Sequence, residues 1–329
     1  MTVSAAGASN VVVDLGGTNV RFAVADHAEA GVVSVSRVTR YALNAFMSFD
    51  EALDAFQRAQ LDGAAIAGLA VGAAGPVSGG IVKLTNAPWS LNADDLSHRL
   101  GGARVVIVND LQAVGRALGA LTDDDVEPLR TQDAGPDLVA PGVAPRLAVN
   151  VGTGFGASAC HAISGASNSG PVGVRWLVTA TEAGHMTDGF KSAIQSADTT
   201  VEEVCSGAGL LALANAYLKE LGGATPYASA RDVCARNTTP AATRALDRFG
   251  WTLGRAVRDL VLAHGAWSGV YLTGSVADAW WKSGQTETFW SAYEGESPMR
   301  AQLDRVPMYH ITVDDPALIG LAAWLTDPV

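Results

Sequence analysis

The chain opens on an apolar run, Val11 to Val13, crosses a short polar stretch and resumes with "VRFAV", in which apolar and polar side chains alternate. β-Branched residues in the first run and period-two alternation in the second predict two β-strands joined by a turn over residues 14–19. The pattern then changes period. "FMSFDEALDAFQRAQL" carries apolar residues at helical spacing, with Ser48 or Asp50 as its cap. "AAIAGLAVGAAGPV" and "ARVVIVND" read as buried strands that end in polar loops. "TPAATRALDRFGWTLGRAVRDLVLAHG" predicts a long amphipathic helix starting after Pro240 and stopping at Gly265, and "GVYLTGSVADAW" another strand, a glycine turn and a helix. The alternation of strands and helices predicts an α/β fold.

The first turn raises the question of chemistry. Asp14, Gly16, Gly17, Thr18 and Asn19 combine a carboxylate, two glycines that admit a close approach to the main chain, and two short hydrogen-bonding side chains. Such a turn can cradle phosphate through its amides, and it can equally be an ordinary hairpin turn. "RLAVNVGTGFGASAC" repeats the pattern. Placing Asp14 on Asn150 sets Gly16 on Gly152, so the chain reads as two similar halves, each with a phosphate-facing hairpin.

Composition narrows the function classes. Hydrophobic residues make up 48% of the 329 and charged ones 17%, a globular composition long enough for two domains. The net charge of -11, with no cluster of Lys and Arg, argues against a nucleic-acid partner. Three cysteines, Cys160, Cys205 and Cys234, have no paired metal-ligand spacing and predict a reduced, cytoplasmic setting without structural zinc. The N-terminus has neither the basic start nor the apolar stretch of a secretory signal, and no apolar run is long enough for a membrane helix. Residues 122–146, rich in Asp, Pro and Gly, read as an exposed connection.

Six segments together resemble the bacterial glucokinases, hexokinase-like members of the actin, heat-shock-protein and sugar-kinase superfamily: "DLGGTNVRFAV", "AVGAAGPVSGGIVKLTNAPWSL", "VNDLQAVGRAL", "VNVGTGFGAS", "TEAGHM" and "VEEVCSGAGL". The resemblance implies two ribonuclease-H-like α/β domains with ATP and sugar in the cleft between them. It assigns residues 1–110 to a small domain, with the C-terminal helix 315–329 packing back on it, and 111–314 to a large one. It also implies ATP-dependent phosphorylation of the glucose 6-hydroxyl and a homodimer. The cysteine-rich zinc motif of the related repressors and kinases is absent, which sets the chain with the glucokinase branch. A kinase for another hexose or amino sugar, or a catalytically silent sugar sensor, is the alternative. ADP or polyphosphate remains open as the phosphate donor.

Phosphoryl transfer to an alcohol needs positioned groups, neutralised phosphate charge and a base for the hydroxyl proton. Asp110, where a buried strand opens into a loop, is the candidate base; "ND" can also simply cap the helix that follows. The resemblance gives Asp110 the base role and has Asn109 hydrogen-bond the sugar. Glu182 and His185 offer acceptor and donor groups three positions apart, suited to a polyhydroxylated ligand. The resemblance adds Glu202, in preference to Glu203, and the sugar-loop residue Asn86. Trp89 either packs on the sugar ring or anchors its own loop. For ATP the resemblance implies Gly16, Gly17, Thr18 and Asn19 at one phosphate turn, Gly152, Thr153 and Gly154 at the other, and Gly274 near the adenine. Asp14 would orient Mg²⁺ through water. The segment "LTGSVA" has Ser275 where the family more often carries a second glycine.

Overall fold

A computed structural model describes residues 7–27, 33–84, 87–130, 144–167, 170–189 and 199–326. The chain forms two compact units. The first comprises Met1–Thr122, Ile163–Val178 and Val313–Val329, and the second Asp123–Ala162 and Thr179–Thr312.

The strands are β1 (Ser9–Leu15), β2 (Asn19–His27), β3 (Val33–Ala42), β4 (Ile66–Ala73), β5 (Val77–Ser78), β6 (Ile81–Lys83), β7 (Ser90–Asn92), β8 (Arg104–Asn109), β9 (Val126–Arg130), β10 (Arg146–Val151), β11 (Phe155–Ser167), β12 (Gly170–Thr181), β13 (Val270–Thr273) and β14 (Met308–Ile311). The helices are α1 (Phe49–Gln60), α2 (Ala93–Arg99), α3 (Asp110–Ala117), α4 (Gly207–Glu220), α5 (Ala230–Ala235), α6 (Pro240–His264), α7 (Ser275–Lys282), α8 (Glu287–Glu294), α9 (Arg300–Leu303) and α10 (Pro316–Thr326).

One sheet runs β3-β2-β1-β4-β8 and another β12-β11-β10-β13-β14-β9, with a small β5-β6-β7 sheet apart. Each large sheet begins with an antiparallel meander and continues with parallel strands: β1 pairs β2 antiparallel and β4 parallel, while β10 pairs β11 antiparallel and β13 parallel. The repeat read from the two glycine turns is therefore a repeat of topology, in the ribonuclease-H-like order. The turns differ by one residue, because Leu15 pairs Val20 whereas Val151 pairs Phe155.

The apolar run at β1 is continuous because both faces of this central strand are covered. Val11, Val13 and Leu15 join Phe22, Phe49 and Phe56 in one core, while Val12 joins Ala70, Leu318 and Leu321 in the other. Helix α10 supplies that second face and crosses α3 so closely that a Cβ on Gly320 would lie 1.9 Å from the Ala113 carbonyl oxygen. This crossing ties α3 to the first unit, which therefore extends past the boundary at 110 read from the sequence and also takes in residues 163–178.

In the second unit Leu147, Val149 and Val151 of β10 share a core with Leu210 of α4 and with Leu246, Phe249, Leu253 and Val257 of α6. Pro240 is the first residue of α6 rather than the residue before it, as suits a position whose N–H has no helical partner. Gly265 ends the helix in the left-handed conformation, φ 60°. Ser48, not Asp50, caps α1 by accepting from the Glu51 N–H.

The stretch expected to be a connection contains a strand. Val126–Arg130 pairs antiparallel with β14 at the edge of its sheet, where Pro128 is tolerated because an edge strand leaves one side of its backbone unpaired. Residues 131–143 of that stretch lie outside the described residues.

Candidate active site

In the first unit, the β1–β2 turn and the start of α3 bring two carboxylates into electrostatic reach. Gly16 donates its N–H to the Asn19 carbonyl at 3.0 Å and Asn19 Nδ2 donates to Thr18 Oγ1 at 3.0 Å. The turn is thereby held closed, with Gly16, Gly17, Thr18 and Asn19 adjoining Asp14 at the end of β1. Arg21, opposite Asp14 in the hairpin, approaches it at 3.2 Å and pairs with Asp315 at 2.5 Å. Burial pushes the Asp14 carboxyl above its ordinary range; Arg21 pulls it down and Asp315 pushes it up.

Of the two readings of "ND", Asn109 takes the cap. Asn109 caps α3: its side chain accepts from the Leu111 N–H at 2.9 Å, and Gln112 Oε1 accepts from the Asn109 N–H at 3.2 Å, a reciprocal capping box. Its Nδ2 donates to the Gly75 carbonyl at 3.1 Å. Asp110, the next residue, also accepts from the Leu111 N–H at 2.9 Å. Burial raises its carboxyl to about 6, the Leu111 N–H lowers it, and the neighbouring Asp14 charge raises it again. A carboxylate of that basicity is ionised at neutral pH and still takes a proton readily.

Asn86 lies outside the described residues. Trp89 is 4% exposed and meets Phe49 edge to face at 6.3 Å, so it anchors its loop in the core rather than offering a face to a sugar.

The second unit gathers the other predicted residues around the turn 152–154. The Gly152 N–H donates to the Gly154 carbonyl at 3.0 Å, with Thr153 between them, and the Gly152 carbonyl accepts from the Gly207 N–H at 2.9 Å. That contact sets the turn beside the N-terminus of α4, where the helix dipole favours an anion. Gly274, φ 103°, precedes α7; a Cβ there would fall 2.4 Å from the Val151 carbonyl and 2.6 Å from Asn150 Oδ1. Only glycine fits that turn, whereas Ser275, at the departure from the family pattern, already belongs to α7.

Glu202 Oε2 accepts from the Phe155 N–H at 2.8 Å, and the Glu202 N–H donates to the Gly184 carbonyl at 3.0 Å. Glu182 and His185 flank Gly184 on a short 3₁₀ turn; their side chains are 93% and 75% exposed and lie 3.7 Å apart, open to a ligand. Glu203 instead turns back on its own loop, accepting from the Thr200 N–H at 2.7 Å.

Sequence reasoning missed four participants. Arg21 and Asp315 brace Asp14, Gln112 completes the cap before Asp110, and the α4 N-terminus abuts the second turn. Arg21, a charged residue on the alternating strand opposite Asp14, was the one with a local signal.

The glucokinase family model matches residues 11–328. The chain belongs to the glucokinase family. The glucokinase of Cupriavidus metallidurans is 30% identical, over 99% of this chain and 96% of its own length. Among solved structures, a glucokinase from an Antarctic psychrotroph superposes with a TM-score of 0.76 at 22% identity, covering 96% of this chain and 98% of that one. A ROK-family glucokinase from Streptomyces griseus, solved with glucose and AMPPNP, superposes with a TM-score of 0.61 at 20% identity, covering 96% and 98%. This glucokinase-family chain has the mixed α/β, actin-like ATPase fold of those structures. No helix among its described residues is long and apolar enough to cross a membrane.

Proposed function

We propose that this enzyme transfers the γ-phosphoryl group of ATP to the 6-hydroxyl of D-glucose, with Asp110 as general base. The observation that carries the reading is the Asp110 carboxyl, raised to about 6 at the first turn of α3, in a chain of the glucokinase family. In this reading Asp110 accepts the hydroxyl proton as the sugar oxygen forms its bond to the γ-phosphorus. The bond to the β–γ bridging oxygen breaks, and ADP leaves with that electron pair.

Asn109, Glu182, His185 and Glu202 hold the sugar hydroxyls, together with Asn86. The turns 16–19 and 152–154 present main-chain amides to phosphate, and Gly274 adjoins the second of them. Asp14 suits Mg²⁺ bound through its water shell, because a carboxylate pushed up by burial and by the Asp315 charge gains from a divalent charge. Bound there with ATP, Mg²⁺ would neutralise phosphate charge. We place the reaction in the cytoplasm and the enzyme in a homodimer, in line with its three buried cysteines outside any disulfide for the first and the family resemblance for the second.

The test is a coupled assay of ADP release with Mg-ATP and a panel of hexoses and amino sugars, run beside Asp110→Asn. Glucose-dependent turnover lost in the variant supports the reading, and a stronger response to another sugar redirects it. Silence across the panel, with glucose still bound in calorimetry, would make the chain a sensor.

A further inference from the structure

The described residues of the second unit contain a buried ion pair that the phosphoryl-transfer chemistry does not use. Arg248, in the middle of α6, donates through Nη2 to Asp188 Oδ2 and through Nη1 to Thr252 Oγ1, and its guanidinium lies 5.5 Å from the Trp251 ring centroid. The two side chains are 2% and 0% exposed. Burial lowers the Arg248 pKa and the Asp188 charge raises it, and removing either partner leaves the other as an uncompensated buried charge.

What Asp188 holds is the loop that carries the sugar-binding candidates. Its N–H donates to the Thr199 carbonyl at 2.9 Å, Thr187 bridges Thr200, the Val201 N–H donates to the Met186 carbonyl at 2.8 Å, and the Glu202 N–H donates to the Gly184 carbonyl at 3.0 Å. Residues 184–188 and 199–202 thus form a two-stranded staple. Glu182, His185 and Glu202 sit at its open end and Asp188 at the other. Asp188 lies 60 residues from Arg248 in sequence, and the pair links the staple to the longest helix of the unit.

We propose that Asp188 and Arg248 are positioning residues for sugar binding: the pair pins the staple to α6 and so fixes Glu202 relative to Glu182 and His185. The inference rests on the sugar-kinase reading for the identity of the ligand, but not for the mechanical coupling. A lone charge left in this site would destabilise the fold by itself, so the informative variant removes both charges, Asp188→Asn with Arg248→Met.

Two measurements on the full chain test the proposal. In amide hydrogen exchange, the Val201 and Glu202 N–H groups should lose about tenfold or more protection in the double variant while the Leu210 amide of α4 keeps its own. In steady-state kinetics the glucose KM should rise about tenfold, with kcat and the ATP KM changed less than about threefold. Unchanged exchange at Val201 and Glu202 overturns the proposal, as does a glucose KM within about twofold of the wild type. If the wild type does not phosphorylate glucose, the functional reading fails, and the exchange result alone decides whether the pair pins the staple. A destabilised double variant is compared below its unfolding transition, and Arg248→Lys, which retains the charge without the two-pronged contact, should fall between it and the wild type in both readouts.

Discussion

Glu202 accepts a hydrogen bond from the Phe155 backbone across 47 residues of sequence, and the same Oε2 sits where a Cβ on Gly154 would approach to 2.6 Å. The turn 152–154 and the Glu202 carboxylate are thus sterically one feature. A methyl group at Gly154 must displace the Glu202 side chain. Gly154→Ala should therefore raise the glucose KM, by about tenfold or 1.4 kcal/mol, as well as perturb ATP binding. Steady-state kinetics with each substrate varied in turn checks this; an effect on ATP alone would break the link.

Glu202 and its neighbour offer an internal control. Glu203 is spent on Thr200, through the backbone N–H at 2.7 Å and Oγ1 at 3.0 Å, whereas Glu202 faces Gly154 and Gly184. Glu202→Gln should lower kcat/KM for glucose by about tenfold to a hundredfold, as expected for a charge-assisted hydrogen bond to a substrate hydroxyl. Glu203→Gln should keep kcat/KM within about threefold of the wild type. The reverse ranking would move the sugar site to Glu203.

The Asp110 carboxyl sets the expected pH dependence. With its pKa near 6, kcat/KM should fall below about pH 6 as the base becomes protonated, about tenfold per pH unit in the limit. A glucose-independent probe of folding should remain unchanged over the same range if protonation, rather than unfolding, causes the loss. An acid limb nearer pH 4 would mean that another group limits the rate.

Stability should run the other way. Asp110 binds its proton more tightly folded than unfolded, because its pKa is raised from 3.8 to about 6. Its contribution is therefore fully present below about pH 4 and lost as the pH rises through about 6. At pH 7 the ionised, partly buried carboxylate costs about 3 kcal/mol. Asp110→Asn keeps an acceptor for the Leu111 N–H and should be more stable than the wild type at pH 7, but not at pH 4, by thermal unfolding. The proposed base is then a residue the fold would be steadier without.

How much of this was legible in sequence follows the range of each interaction. The turns 16–19 and 152–154 announce themselves because glycine, Asp and Thr stand between apolar strands, and Ser48 and Asn109 mark helix starts within three residues of their partners. Asn109–Asp110 showed the limit of a local reading: cap and base competed for the same dipeptide, and the structure gives the cap to Asn109. Trp89 read equally as a ring platform or a loop anchor, because a tryptophan after proline says nothing about which way it faces, and its burial makes it the anchor. β9 was hidden in an Asp- and Pro-rich stretch, since its pairing partner β14 begins at Met308 and an edge strand needs no apolar alternation. Arg21–Asp315 and Asp188–Arg248, 294 and 60 residues apart, join segments with no shared local pattern.

The α3–α10 crossing carries the last prediction. Asp110 stands at the first turn of α3, and α3 is held by the C-terminal helix at a point where a Cβ on Gly320 would come 1.9 Å from the Ala113 carbonyl and 2.8 Å from the Ala117 nitrogen. Neither atom belongs to a side chain that can swing aside, so Gly320→Ala must push the helices apart. The intrinsic helix preference of alanine offsets only about 1 kcal/mol of that strain. A net loss of about 1–3 kcal/mol is expected in denaturant unfolding, with the first-unit core loosened where Leu318 and Leu321 meet Val12 and Ala70. Because α3 moves with its packing, kcat should fall in the folded variant as well, and a variant that is destabilised but retains full kcat would show that Asp110 is held by the cap at Asn109 and not by the helix crossing.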